Sequence, residues 1–284
     1  MEGSASNRRI GIRLQTMGAR LGWAVRPIFQ EDHRHRLELV GSSVLLKAAE
    51  RAFVITAAHV WDWREKGPLF IGSRNDLIEL KGRSKWTQPP NAGKRIDDRI
   101  DLAFIEPTEG IVKHLSDCRF LTPDEIDVDD VAIPVLGIGS NYLVIGYPET
   151  RVDSRPPWTK VIPNPFFYGT FPVNEGEYQQ FGIQEYSHVL LEYDRDTNQT
   201  IHGTRTGPDP HGVSGGGLWR FDSILEDNPA SDRLVGIMIE YHEGPRRMIA
   251  TRIGLVVEAM KSLYPEIALA LPTPRRVTLT NRFI

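Results

Sequence analysis

Short apolar runs separated by polar and turn-forming residues fill most of the chain, and their spacing changes along it. Over residues 1–28, Ile10, Leu14, Met17 and Leu21 recur at intervals of three and four, the spacing of a single apolar stripe on a helix. This predicts a weakly amphipathic helix in an N-terminal extension that packs on the outside of the main body. From Leu37 the pattern becomes extended. Leu37-Glu-Leu-Val-Gly-Ser-Ser-Val-Leu-Leu-Lys predicts a strand, residues 48–50 a turn, and Arg51-Ala-Phe-Val-Ile-Thr a second strand, together a hairpin. Further short apolar runs follow at 69–72, 77–80, 102–106, 141–146, 187–193, 217–221 and 234–241. Near the end, Leu255-Val-Val-Glu-Ala-Met-Lys-Ser-Leu-Tyr returns to helical spacing and stops before Pro265.

Many short strands punctuated by 25 glycines and 20 prolines predict a β-barrel or sandwich rather than alternating strands and helices. Residues 117–135 are acidic and contain proline, as a linker between two lobes would. The last residues, 272–284, carry Arg275, Arg276 and Arg282 and read as a solvated or loosely docked tail. At 40% hydrophobic and 25% charged residues, the composition is that of a globular protein and excludes disordered, collagenous and coiled-coil classes. A net charge of −3 removes any whole-chain electrostatic case for nucleic acid as partner. The single cysteine, Cys118, excludes an internal disulfide and any thiolate-built zinc or redox site. No apolar run approaches the ~18–20 residues a spanning helix needs, and the N-terminus lacks the unbroken apolar core of a secretory signal. The expectation is a cytoplasmic protein with no membrane partner. Asp32-His33-Arg34-His35 lacks a third ligand and reads as a solvated turn. No cofactor and no metal are expected.

Three segments carry chemistry. Ile55-Thr56-Ala57-Ala58-His59-Val60 ends an apolar strand in small residues and a histidine. Arg99-Ile100-Asp101-Leu102-Ala103-Phe104-Ile105 places an aspartate at the entry to another strand, and His211-Gly212-Val213-Ser214-Gly215-Gly216-Gly217-Leu218 places a serine in a glycine-rich turn. Singly, each has an ordinary reading as a surface histidine, a turn aspartate or a tight turn. Together, in the order His, Asp, Ser, they match one of the three known chain orders of a serine hydrolase triad. A serine hydroxyl is a weak nucleophile at neutral pH and needs an adjacent base. Histidine, with an ordinary pKa of about 6.5, can take its proton and return it to the leaving group, while an aspartate holds the imidazole tautomer.

On these residues the chain resembles the chymotrypsin/trypsin-like serine peptidase superfamily, nearer its disulfide-free bacterial branch. Thr56-Ala57-Ala58-His59, Asp101-Leu102-Ala103 and Gly212-Val213-Ser214-Gly215-Gly216 are similar to the family's three motif segments. Leu234-Val235-Gly236-Ile237 resembles the substrate-wall strand, and the stretch from Leu255 the terminal helix. The resemblance spans about 37–265. It implies an all-β fold of two six-stranded β-barrels with a short C-terminal helix, and divides the chain into an N-terminal extension (1–28), a first barrel (29–120), a linker (121–140), a second barrel with its helix (141–268) and a tail (269–284). It implies catalytic His59, Asp101 and Ser214, with the backbone N–H groups of Gly212 and Ser214 as the oxyanion hole. Forty-two residues separate His59 from Asp101 and 113 separate Asp101 from Ser214. The family's spacings are roughly 45 and roughly 93, so the second lobe carries an insertion.

The departures matter as much. Val213 stands where members activated by cleavage carry an aspartate, so that route of maturation is not expected; a constitutively formed or partner-switched enzyme is. Pro208 stands where trypsin-like members place an acid for basic side chains. Asp209 beside it, and Glu240 on the wall strand, leave an acidic contact by other geometry open. Tyr241 narrows the pocket beside Ile239 and Glu240, which favours a small or apolar side chain at the cleaved position. The polar segment 198–211, leading into Ser214, reads as an ordinary loop, a substrate loop or a gate. Trp61 and Trp63 read as packing under the first barrel or as cleft floor, and Gly146-Tyr147-Pro148 as structural. Cys118 is not placed to be a nucleophile. The expected function is a serine endopeptidase acting on protein or peptide substrates through an acyl-enzyme, with a regulatory protein partner as one route of switching. The alternatives are a catalytically silent binding or scaffold protein and an esterase, the latter disfavoured because Gly215-Gly216-Gly217 opens a helix poorly.

Overall fold

The computed structural model describes residues 2–34, 36–74, 76–130, 141–151, 165–200, 202–221 and 231–275. Within them, strands apolar on both faces form where both faces are covered. Strand β1 (Val25–Glu31), β2 (Leu37–Ala48), β3 (Arg51–Ala57), β4 (Leu69–Gly72), β5 (Leu77–Glu79), β6 (Gly82–Trp86) and β7 (Leu102–Pro107) make one antiparallel sheet in the order β5-β4-β1-β2-β3-β7-β6. In β3, Phe53 and Ile55 face one core and Val54 the other, and both cores include residues of the two sheets.

The second sheet holds β8 (Asn141–Gly146), β9 (Phe166–Thr170), β10 (His188–Glu192), β13 (Gly217–Phe221), β14 (Arg233–His242) and β15 (Arg247–Arg252), ordered β10-β15-β14-β13-β8-β9. A separate hairpin pairs β11 (Asn198–Thr200) with β12 (Gly203–Arg205). Both large sheets curl into half-barrels, and the arrangement is the chymotrypsin-like double barrel.

Four α-helices are described: α1 (Glu2–Leu21), α2 (Ala58–Trp61), α3 (Glu109–His114) and α4 (Ile253–Leu263). Leu14, Met17 and Leu21 of α1 are buried in the shared core, and the helix lies against β8, β9 and the β11–β12 hairpin. Helix α4 buries Val256, Val257 and Met260 in the same core.

Two features differ from the sequence expectation. The first sheet begins at Val25, inside the segment read as extension, and it counts seven strands. The signal for β1 is hidden by Arg26, a buried guanidinium that donates to the carbonyls of Gly72 (2.6 Å) and Ser73. A charge at that position is tolerated because both carbonyls satisfy it. In the described part of the acidic segment, Asp127 and Asp130 are tied to Arg220 at 2.9 Å each. Residues 131–140 of that linker and 276–284 of the tail lie outside the described residues. No described helix is long and apolar enough to cross a membrane.

Candidate active site

His59 sits where β3 turns into the single helical turn α2. The turn is held by Asp101: its carbonyl accepts from Ala58 N–H (3.0 Å), and its Oδ1 accepts from His59 N–H (2.8 Å). His59 Nδ1 donates to Asp101 Oδ2 at 2.5 Å. A carboxylate only accepts, so this bond fixes the proton of a neutral ring on Nδ1 and leaves the Nε2 lone pair free.

Asp101 is 3% exposed and adopts a left-handed backbone, φ 49°, a conformation aspartate tolerates better than most residues. Asp98, itself buried, organises the approach: its Oδ1 accepts from the N–H groups of Ile100 (3.3 Å) and Asp101 (3.2 Å). Asp98 in turn accepts from Arg95 (2.7 Å) and from the Thr87 hydroxyl, whose oxygen also accepts from Leu102 N–H (2.9 Å).

The serine turn is pressed against the first sheet. Ser42 N–H donates to the Ser214 carbonyl (2.7 Å), and the Ser42 hydroxyl donates to the Gly212 carbonyl (2.8 Å). Gly212 and Gly215 have φ of 92° and 83°, which L residues rarely adopt. A Cβ on Gly215 would lie 1.9 Å from the Ser42 carbonyl oxygen, and one on Gly212 would lie 2.6 Å from that of Tyr147. Val213 fills the apolar interior of the second lobe, so the turn is anchored by packing rather than by an ion pair.

A full account of the turn's N–H groups separates two from the rest. His211 donates to Asp209 Oδ1, Val213 to the Pro210 carbonyl, Gly215 to that of Met238 and Gly216 to that of Val213. The N–H groups of Gly212 and Ser214 have no acceptor among the described residues. The His211 carbonyl is bound by Glu149 N–H at 2.8 Å. In a planar trans peptide the carbonyl and the following N–H point in opposite directions, so this bond aims the Gly212 N–H away from Glu149.

The structure brings His59 and Asp101 into direct contact but does not hydrogen-bond Ser214 to His59. The Ser214 hydroxyl donates instead to the Ile239 carbonyl, 3.1 Å away. Ile239 is buried at the β14 irregularity that shifts its register against β15. Glu240 accepts from His242 Nε2 at 2.9 Å and lies 3.9 Å from the Arg99 guanidinium. The Tyr241 ring meets that of Tyr193 edge-on at 5.4 Å, and the Tyr193 hydroxyl donates to the Pro208 carbonyl at 2.6 Å. Asp209 is occupied by His211 N–H (3.1 Å), with Arg195 4.0 Å away.

Burial opposes a charge on His59, but the hydrogen bond and charge of Asp101, helped by Glu240 and opposed by Arg95, outweigh it and raise the imidazole pKa above its ordinary value. Burial pushes the Cys118 thiol up to about 12, which removes the thiolate a nucleophile would need. Trp61 is buried in the first lobe, with the Arg64 guanidinium 5.3 Å from its ring, and Lys66 lies over Trp63 at 3.7 Å. Asp98, Thr87, Ser42 and Glu149 were not singled out from the sequence. Only Asp98 carried a readable signal, an aspartate three residues ahead of a turn whose N–H groups it can accept.

Two curled antiparallel sheets, with a histidine–aspartate pair at the ends of interior strands of one and a glycine-flanked serine turn leading into an interior strand of the other, have the chymotrypsin/trypsin-like fold. Among solved structures, the chain is similar to one described as "HtrA-type protease AlgW with tripeptide". Its TM-score is 0.51 at 17% identity, over 89% of this chain and 64% of that one. A substituted form of the same protease, also with tripeptide, matches with a TM-score of 0.51 at 17% identity, over 88% of this chain and 63% of that one. The chain therefore spans less than two thirds of the length of these structures, and the likeness is one of fold. No family model matches the chain, and neither does any curated protein.

Proposed function

We propose that the protein is a serine endopeptidase in which Ser214 is the nucleophile, His59 the general base and acid, and Asp101 the group that holds the imidazole. The observation that carries this reading is the pair of N–H groups, of Gly212 and Ser214, that have no acceptor among the described residues, in a turn whose other N–H groups are bonded. Gly212 and Ser214 are half-buried while Val213, Gly215 and Gly216 around them are buried, so these two donors are the ones a ligand can reach. Two such donors flanking a serine suit an oxyanion that forms only during reaction.

In the proposed sequence the Ser214 hydroxyl leaves the Ile239 carbonyl, gives its proton to His59 Nε2 and attacks the peptide carbonyl carbon. The oxyanion is received by these two N–H groups. Collapse breaks the C–N bond, the amine departs with the proton from Nε2, and an acyl-enzyme ester remains on Ser214. Water, deprotonated by the same Nε2, hydrolyses that ester and restores the hydroxyl. The Tyr193–Tyr241 ring pair and the engaged Asp209 favour substrates with a small apolar side chain at the cleaved position and give no free acid for a basic one.

One observation favours a second reading. The hydroxyl rests on a carbonyl instead of on the imidazole, as it would in a silent scaffold or in an enzyme switched on by a partner. A fluorophosphonate probe separates them: stoichiometric labelling that is lost in Ser214→Ala supports the peptidase. Absence of labelling, with peptide libraries also uncleaved, favours the scaffold.

A further inference from the structure

The loop that delivers Asp101 belongs to the first sheet, yet half of its backbone is held by the second. The Thr251 hydroxyl donates to the Ile100 carbonyl at 2.7 Å, and His188 Nε2 donates to the Arg99 carbonyl, also at 2.7 Å. His188 on β10 and Thr251 on β15 are direct cross-strand partners, so two neighbouring side chains grip two consecutive carbonyls. Both are buried, at 2% and 0% exposure.

These two bonds join a set that holds the loop's backbone from Arg99 C=O to Leu102 N–H. The Arg99 and Ile100 carbonyls go to His188 and Thr251. The Ile100 and Asp101 N–H groups go to Asp98, the Asp101 carbonyl to Ala58, and the Leu102 N–H to Thr87. A left-handed, non-glycine residue is strained and persists only where its surroundings over-determine it. Asp98 and Thr87 fix one side of the loop from within the first lobe. The other side has no bond from that lobe to its two carbonyls.

We infer that His188 and Thr251 are positioning residues for Asp101: a cross-strand pair on the serine-bearing sheet that sets the carboxylate of the opposite sheet. The inference rests on the peptidase reading for its importance but not for its test. His188 is suited to the task because its ring is locked at both nitrogens. A carbonyl accepts only, so Nε2 carries the proton toward Arg99, and Nδ1 accepts from the Ser187 hydroxyl at 2.8 Å. The Gln184 carbonyl, which accepts from the N–H groups of Ser187 and His188, lies 3.0 Å from the same hydroxyl and is its second acceptor.

The test compares Thr251→Val, which keeps shape and removes the donor, with Thr251→Ser, which keeps the donor. The His59 pKa is followed by NMR of the labelled imidazole, and Ser214 reactivity by the rate of fluorophosphonate labelling against pH. A loosened Asp101 holds the imidazolium less well, so Thr251→Val should shift the His59 midpoint down toward the ordinary 6.5 and slow labelling about tenfold. KM for a cleaved peptide should change little, and Thr251→Ser should recover most of both effects. A folded Thr251→Val with the wild-type midpoint and labelling rate would overturn the inference. If Thr251→Val does not fold, His188→Gln, which retains a donor toward Arg99, against His188→Leu, which does not, carries the same comparison and the same two outcomes. A wild type that is never labelled sinks the peptidase reading alone, because the NMR midpoints still decide the positioning role.

Discussion

At Asp101 a single carboxylate does two jobs that pull on different atoms. Oδ1 caps the first turn of α2 through His59 N–H, and Oδ2 holds the imidazole. Asp101→Asn would keep the shape but replace one oxygen by a donor, so one of the two bonds must fail or the ring must take the other tautomer. A loss on the order of 10³–10⁴ in kcat is expected, with little change in KM. The pH dependence has a definite sign. As the proposed base, His59 would act only when neutral, and its pKa is raised in the folded protein. Activity should therefore rise with pH through a midpoint above 6.5, and in Asp101→Asn that midpoint should fall. A pH–rate profile of kcat/KM checks both, and a wild-type midpoint at or below 6.5 contradicts the assignment.

Two glycines of the serine turn give a second contrast at this scale. Both require a positive φ, but a Cβ on Gly215 would overlap the Ser42 carbonyl at 1.9 Å, whereas one on Gly212 meets its nearest neighbour at 2.6 Å. Gly212→Ala should destabilise the protein less than Gly215→Ala and turn its N–H from the proposed oxyanion site, with kcat lowered by roughly 10²–10³. Gly215→Ala should fail mainly as a fold, because the serine turn can no longer lie on β2. Thermal melts beside turnover separate the two. Equal melting temperatures for both variants would count against the packing argument.

At the scale of elements, α1 is part of the core. Met17 is fully buried between the helix and the sheets, so Met17→Ala should cost about 2–5 kcal/mol, read as a lower urea midpoint at unchanged m-value. An effect under 1 kcal/mol would mean the helix is peripheral. How far the sequence revealed such elements depended on where their partners lie. Strands β2, β3, β7, β8, β13 and β14 are legible because apolar residues fill both faces. Strand β1 is not, since Arg26 is satisfied only by the far end of β4. Strand β6, Gly-Arg-Ser-Lys-Trp, is an exposed edge with no apolar stripe, and β15 begins and ends in arginines paired to Glu177 and Asp130. The candidate site follows the same rule. His59, Asp101 and the Ser214 turn stand out because their local backbone demands small residues and glycine. Ser42, Glu149, His188 and Thr251 look like ordinary strand and loop residues until another part of the chain, over 60 positions away, gives them a carbonyl to bind.

For the molecule as a whole, the seam between the sheets includes buried polar contacts, and one of them, His188, is sensitive to acid. Burial, with Arg252 and Arg99 adding to it, lowers the His188 pKa to about 4 despite the hydrogen bond to the Arg99 carbonyl. The unfolded chain would titrate this histidine near 6.5. Below that value the unfolded state gains a proton that the native state refuses. The stabilisation is thus fully present above about pH 6.5 and is lost progressively as pH falls toward 4. A difference of this size corresponds to about 3 kcal/mol. Carboxylates also titrate in this window, so the wild-type slope alone does not isolate the histidine. His188→Gln keeps a donor toward Arg99 and has no proton to gain. Between pH 7 and 4.5 the wild type should therefore lose more stability than His188→Gln by urea titration, with the two curves converging as acid is added. Parallel curves would mean that protonation of His188 is not what opens the seam, and the acid response of the coupling between the histidine-bearing and serine-bearing sheets would then have to be sought outside this histidine, since the Thr251 and Ser42 contacts carry no titrating group.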